Sequence, residues 1–185
     1  KKKITVIPNP VKTYIYKPLN FVKIRKKLKI KNNEKIILFG SSHALSVEAK
    51  GFSKFIKILS ELKKMSNLKI KVLIFGDTSE LNNYQIPFEY IDFGYINQTK
   101  DLIEIYSCCD VLAIPSVLDN LPQIATEGQA CGCPIVSFET GGLPEIVDHK
   151  INGLLSKNFN TKDFAKNIIK ILEMDNKEKK KMKSA

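Results

Sequence analysis

Arginine is nearly missing from this chain of 185 residues: of thirty basic side chains, only Arg25 carries a guanidinium. Proteins that read base edges rely on the planar, bidentate fork of arginine, so the net charge of +11 does not point to nucleic acid. The lysines crowd into 23–31 and 177–183. There they fit solvated helix faces, and weak attraction to an anionic membrane surface is the charge-driven expectation. Long apolar runs are also missing. No stretch approaches the roughly eighteen residues that cross a bilayer, and no apolar leader of signal type opens the chain. Cysteine is scarce. Cys108, Cys109, Cys131 and Cys133 form Cys-Cys and Cys-x-Cys pairs rather than the C-x2-C spacing of common zinc sites. Reduced thiols without a leader predict a cytoplasmic protein, at most peripheral at the inner face of a membrane. An initial methionine is lacking too. Lys1-Lys2-Lys3 running directly into a strand-like segment at 4–7 reads as a cut inside a longer gene product.

What is present is an alternation of strand-like and helix-like segments, the pattern of a parallel sheet covered by helices. Strands are predicted at 35–40 (KIILFG, buried), 69–76 (KIKVLIFG), 88–93, 110–115 (DVLAIP, buried) and 134–138 (PIVSF), with a brief edge strand at 153–155. Between them, 51–65 sets Phe52, Phe55, Ile56, Leu59 and Leu62 at helical spacing. Thr99 is expected to cap a helix over 100–109 that turns Leu102, Ile103 and Tyr106 inward. Residues 122–131 form another helix with Pro122 in its first turn, and Pro144 opens a short one after the Gly141-Gly142 turn. The last amphipathic helix is expected over 163–173, burying Phe164, Ile168 and Leu172 before a polar, lysine-rich tail. The fold class is α/β: a Rossmann-like parallel sheet of five to six strands with helices on both faces. Ligands of such sheets sit at the carboxyl edge, so the residues that follow Gly40, Gly76, Phe93 and Pro115 are the candidates.

The most informative stretch is PSVLDNLPQIATEGQACGCP at 115–134. Asp119 follows a strand, and Glu127 lies eight positions later on the next helix, so both carboxylates face one cleft. The backbone amides of Asn120, Leu121 and Gln123 lie at or near that helix's first turn, where unpaired N–H groups and the dipole favour an anion. Carboxylates for hydroxyls beside amides for phosphate suit a nucleotide sugar, which carries both a polyol and a diphosphate.

The stretch resembles the acidic-x7-Glu signature of retaining glycosyltransferases with the GT-B fold, family four of the usual sequence classification. Other motifs follow in the same order: VIPNPV, Lys50-Gly51, a strand ending IFG, FGYI, YSCCDVLAIPS, ACGCPIV, GGLPEIV and NGLL. The likeness covers essentially the whole chain. It implies one nucleotide-sugar-binding domain over 1–185, the C-terminal half of a GT-B enzyme whose N-terminal acceptor domain lies outside it. It also implies roles. Glu127 would bind the donor ribose, Asp119 the hydroxyls of the transferred sugar, and Lys50 the departing diphosphate. The backbone around Tyr95 and Ile96 would frame the base, and Gly40, Ser41, Ser42, Gly76, Ser116, Asn120, Leu121, Pro122 and Gln123 complete the donor site.

Two departures from the family pattern matter. Asp119 stands where the family commonly has Glu, and Ser41, Ser42 and His43 occupy the segment that often carries an arginine. Lys50 is thus the main evident cation. Ser116 reads first as a turn former, His43 as a surface residue, His149 as structural or solvent-exposed, and Glu145 as a charge near a helix start. The chain has no Asp-x-Asp, which predicts metal-independent departure of the nucleoside diphosphate, with no cofactor beyond the UDP-, GDP- or ADP-linked donor substrate. The expected parent is a hexosyltransferase of bacterial surface polysaccharide biosynthesis, and the fragment alone is expected to bind donor without transferring it. Two alternatives remain: a non-catalytic or regulatory nucleotide-sugar-binding domain, and a dinucleotide oxidoreductase. The latter is disfavoured because no G-x-G-x-x-G follows KIILFG.

Overall fold

A computed structural model describes residues 9–42 and 45–184. The VIP of the VIPNPV motif, the strand expected at 4–7 and His43 lie outside the described residues. In chain order the elements are α1 (Phe21–Lys27), β1 (Lys35–Ser41), α2 (Phe52–Met65), β2 (Ile70–Gly76) and β3 (Glu89–Asp92). Then come α3 (Thr99–Cys108), β4 (Val111–Ile114), α4 (Gln123–Ala130), β5 (Ile135–Phe138) and α5 (Leu143–Ile146). β6 (Gly153–Ser156), α6 (Thr161–Glu173) and α7 (Asn176–Lys183) close the chain.

The six strands form one sheet in the order β3-β2-β1-β4-β5-β6, and every paired neighbour is parallel. Alternation along each strand sends residues to opposite faces, and a separate core forms on each. Ile37, Phe39, Val72 and Val136 meet α2 and α6 on one side. Ile36, Leu38, Leu112 and Ile135 meet α1, α3 and the small α5 on the other. Phe39 stacks on Phe55, with ring centroids 4.8 Å apart, which fixes α2 against the central strand.

The helix predicted over 51–65 turns Ile58 into the core, and Ile56 only borders it. Successive buried positions 55, 58, 59 and 62 follow the 3.6 period more closely than the sequence reading did. Thr99 is not a cap: Gln98 holds the N-cap position of α3, no side chain caps it, and Thr99 is the first helical residue. The lysine-rich end is a helix rather than a bare tail. Asp175 and Glu178 form a capping box at the start of α7, and Met182 is buried in the core of the α2 and α6 face.

The single arginine has a structural post. Arg25 donates to the Cys108 and Glu34 carbonyls at 3.0 and 3.3 Å and pairs with Asp110 at 2.8 Å. Asp110 in turn accepts from the Ile36 N–H at 2.7 Å. One side chain therefore ties α1 to the amino ends of β1 and β4, at the sheet edge opposite the site.

Candidate active site

The strand order reverses between β1 and β4, which leaves a crevice above their carboxyl ends. A cleft of about 510 Å³ occupies it. Its floor is apolar, built from Phe39, Phe75, Ala113 and Ile114, and its rim carries Lys50, Asp119 and Glu127. Gly40, Ser41, Ser42, Gly76, Tyr95, Ile96, Ser116, Leu121, Pro122 and Gln123 also line it. Asn120 does not. It is exposed, and its carbonyl backs onto Gly142 instead.

Lys50 and Asp119 meet directly. Nζ lies 2.7 Å from Oδ2, with the lysine side chain 30% and the aspartate side chain 12% exposed. Their approach is set by the backbone. A 3-10 turn at Glu48–Lys50 ends on Gly51, whose φ of +78° is left-handed. A Cβ at Gly51 would lie 2.0 Å from the Pro115 carbonyl oxygen, so only glycine lets the turn seat against the loop after β4. The Val117 N–H donates to the Ala49 carbonyl at 2.8 Å and stitches the two segments together. On the far side of the loop, the Gly142 N–H and the Thr140 hydroxyl donate to the carbonyls of Asp119 and Val117. The loop carrying the acidic residue is thus clamped between two glycine turns.

The α4 start has no side-chain cap, with Pro122 at the N-cap position. Leu121, Gln123 and Ile124 bring that end of the helix to the cleft wall. Unpaired N–H groups at such a helix start favour an anion, and Lys50 lines the same cleft. One turn further along, Glu127 turns back into the cleft and accepts a hydrogen bond from the Tyr106 hydroxyl at 3.2 Å. Burial, followed by the charge of Glu127, holds the Tyr106 phenol well above its ordinary range. A second tyrosine, Tyr16, reaches the same carboxylate. Burial, then its hydrogen bond to Glu127, raises Tyr16 to about 12, with Thr99 pulling the other way.

The residues singled out in the sequence largely converge on this cleft, but the side chains around them were not foreseen. Tyr106 read only as an inward-facing helix position, and Tyr16 carried no signal. Phe75, Leu102 and Ile124 read as plain core or helix residues, yet they face the cleft. His149 accepts from the Leu155 N–H through Nδ1 at 2.9 Å, a structural bond away from the site. Glu145 sits exposed in the first turn of α5. All four cysteines are free and buried, and burial pushes the thiols of Cys109, Cys131 and Cys133 upward. Among the described residues, no group of three or more His, Cys, Asp or Glu side chains could hold a metal ion. No helix among them is long and apolar enough to cross a membrane.

Residues 20–185 match the family described as glycosyl transferases group 1. A D-inositol 3-phosphate glycosyltransferase of Saccharomonospora viridis is 42% identical over 66 residues, covering 36% of this chain and 15% of that protein. HepE of Anabaena, solved in complex with UDP-glucose, superposes with a TM-score of 0.79 at 22% identity, over 97% of this chain and 50% of that one. The C-terminal domain of the group 1 protein LpcC from Francisella tularensis gives a TM-score of 0.73 at 21% identity, covering 94% and 93% of the two chains. The chain therefore spans half or less of the first two proteins and nearly all of the third. At these identities the structural likeness speaks for the fold. The family match speaks for kinship: this chain belongs to the group 1 glycosyl transferases and has the fold of their C-terminal domain.

Proposed function

We propose that this chain is the donor half of a retaining glycosyltransferase, binding a nucleoside-diphosphate sugar while an N-terminal domain of the parent enzyme supplies the acceptor. One observation carries the reading. Lys50, Asp119, Glu127 and the uncapped start of α4 surround a single cleft at the point where the strand order reverses. HepE, on the same fold, is solved with UDP-glucose. In the proposed complex, Glu127 holds the ribose hydroxyls, Tyr95 and Ile96 flank the base, and the apolar floor seats the donor between them. The backbone N–H groups of Leu121 and Gln123 receive the diphosphate.

Transfer breaks the bond between the sugar's anomeric carbon and the diphosphate oxygen, and the electron pair leaves with that oxygen. The charge that develops there is met by the Lys50 ammonium and the helix-start amides, fixed in advance in a half-buried cleft. The reading needs no divalent ion, in keeping with the absence of Asp-x-Asp. Asp119 faces the sugar hydroxyls. The parent is proposed as a hexosyltransferase of a bacterial surface polysaccharide. The eight basic and no acidic residues between 9 and 33 favour loose attachment to the anionic inner face of a membrane, in the cytoplasm.

The test is a thermal-stabilisation screen of this chain with UDP-, GDP- and ADP-sugars against NAD. One nucleotide sugar should raise the melting temperature where NAD does not, because a ligand that binds only the folded state stabilises it. Glu127→Ala should lower affinity for that ligand about tenfold or more. Stabilisation by NAD alone, or unchanged affinity in the variant, would sink the proposal.

A further inference from the structure

Glu127 stands in the wall between two cavities. One is the donor cleft, and the other is a smaller space of about 270 Å³ reached by Tyr16 and Thr99. A free glutamate on a helix can choose among several rotamers, each ordering step costing entropy when a ligand arrives. Here the side chain is held by a hydrogen bond. The Tyr106 hydroxyl donates to Oε2 at 3.2 Å from α3. Tyr106 is itself fixed: its ring stands edge-on to Phe75, with centroids 6.2 Å apart, and lies beside the Cα of Gly128. Tyr16, in the segment before α1, lines the smaller cavity together with Glu127 and Thr99.

From this arrangement we infer that Tyr106 and Tyr16 are positioning residues, which aim the Glu127 carboxylate at the ribose diol of the donor and confer preference for a ribonucleotide. The inference rests on the proposed role of Glu127 and deepens it. An ionised carboxylate only accepts hydrogen bonds, so phenol donors on it leave its remaining lone pairs for donors of the ligand. Two adjacent ribose hydroxyls, both donors, complement that half of the group. A 2′-deoxyribose offers one donor fewer and leaves a desolvated acceptor unmatched. Neither phenol touches the ligand in this scheme; each acts through Glu127. Burial and the neighbouring negative charge keep the Tyr106 phenol protonated and therefore donating.

The experiment measures binding of UDP, GDP and ADP, each beside its 2′-deoxy counterpart, by calorimetric titration of this chain. The variants are Tyr106→Phe, Tyr16→Phe, the double substitution and Glu127→Ala. Phenylalanine keeps the ring packing and removes only the donor. The ribose-over-deoxyribose preference should shrink in both single variants. In the double variant it should fall by roughly three- to tenfold, while the melting temperature of the unliganded chain stays close to that of the parent. A preference that survives in the double variant but vanishes in Glu127→Ala overturns the positioning role and leaves the site assignment standing. A preference untouched by Glu127→Ala, or no binding of any of the three nucleotides, overturns the site assignment itself, and this inference falls with it.

Discussion

Lys50 and Asp119 satisfy one another in the cleft at 2.7 Å, which gives each a second task besides its proposed contact with ligand. The aspartate aims the ammonium, but its own charge opposes an approaching diphosphate. Removing that charge while keeping the shape separates the two effects. Asp119→Asn is expected to tighten binding of the bare nucleoside diphosphate by roughly three- to tenfold, because one half-buried like charge is gone. The same change should lower transfer in the full-length parent, since the sugar loses its partner. Lys50→Met should do the reverse to diphosphate binding and cost about a hundredfold or more in kcat, the usual scale for losing a preorganised group at a developing anion. Titration with the nucleoside diphosphate beside turnover assays reads both. Weaker diphosphate binding by Asp119→Asn would show that the pair acts as a single cationic support. None of this coupling was visible in the sequence, where the two residues stand 69 positions apart. The motifs marked both as candidates, but only the fold of the glycine turns shows that they touch.

Between residues and fold lie the elements, and these were the most legible part of the chain. β1, β2 and β4 announce themselves as short apolar runs closing on Gly or Pro, and the helices follow the apolar period between the strands. What escaped were features set by contacts across elements. The capping box of α7 reads as charge in a lysine run until Met182 is seen packing into the core. The clamp on the loop after β4 depends on Gly141, with φ of +56° and space for no Cβ: such an atom would sit 2.0 Å from the Asp119 carbonyl oxygen. Gly141→Ala is expected to destabilise the chain by about 2–4 kcal/mol in urea unfolding, from the left-handed backbone plus the clash. It should also weaken nucleotide binding as the loop shifts. Helix α7 makes a second prediction. Lys179 donates to the Leu172 carbonyl at the end of α6 at 3.0 Å. Burial, aided by Lys35 and Lys183 and partly offset by Asp110, lowers its pKa to about 8. An unfolded lysine titrates near ~10.4, so between those values the unfolded chain binds more protons and stability rises with pH. Below pH of about 8 the penalty of the buried charge is fully present. Lys179→Met should flatten the rise between pH 8 and 10, followed by chemical denaturation across that window. An identical slope in the variant would show that the amine stays charged when folded.

At the scale of the whole molecule, the six-stranded sheet divides labour between its two edges. Arg25, Asp110 and the buried cysteines knit the amino edge, while the carboxyl edge is left open and carries the rim of charged groups. The one guanidinium is committed to three partners at the opposite end, so it does not serve the cleft. The open edge also sets what the chain can do alone. Everything the proposed chemistry asks of the donor side is present in the cleft, namely a cation, helix-start amides and two carboxylates. The proposed chemistry also needs a wall facing the sugar, because an exposed reaction centre would meet water before an acceptor. The chain spans half of HepE, and that wall is what the rest of such an enzyme is proposed to provide. This chain should therefore bind the nucleotide sugar identified by thermal stabilisation yet give no transfer above the uncatalysed background, and slow release of free sugar at most. A full-length parent should restore transfer without tightening nucleotide affinity by more than about tenfold, since closure would act mainly on the reacting geometry. Titration and a product assay on both proteins decide it, and sustained glycosyl transfer by the short chain would show that the donor half carries its own acceptor site.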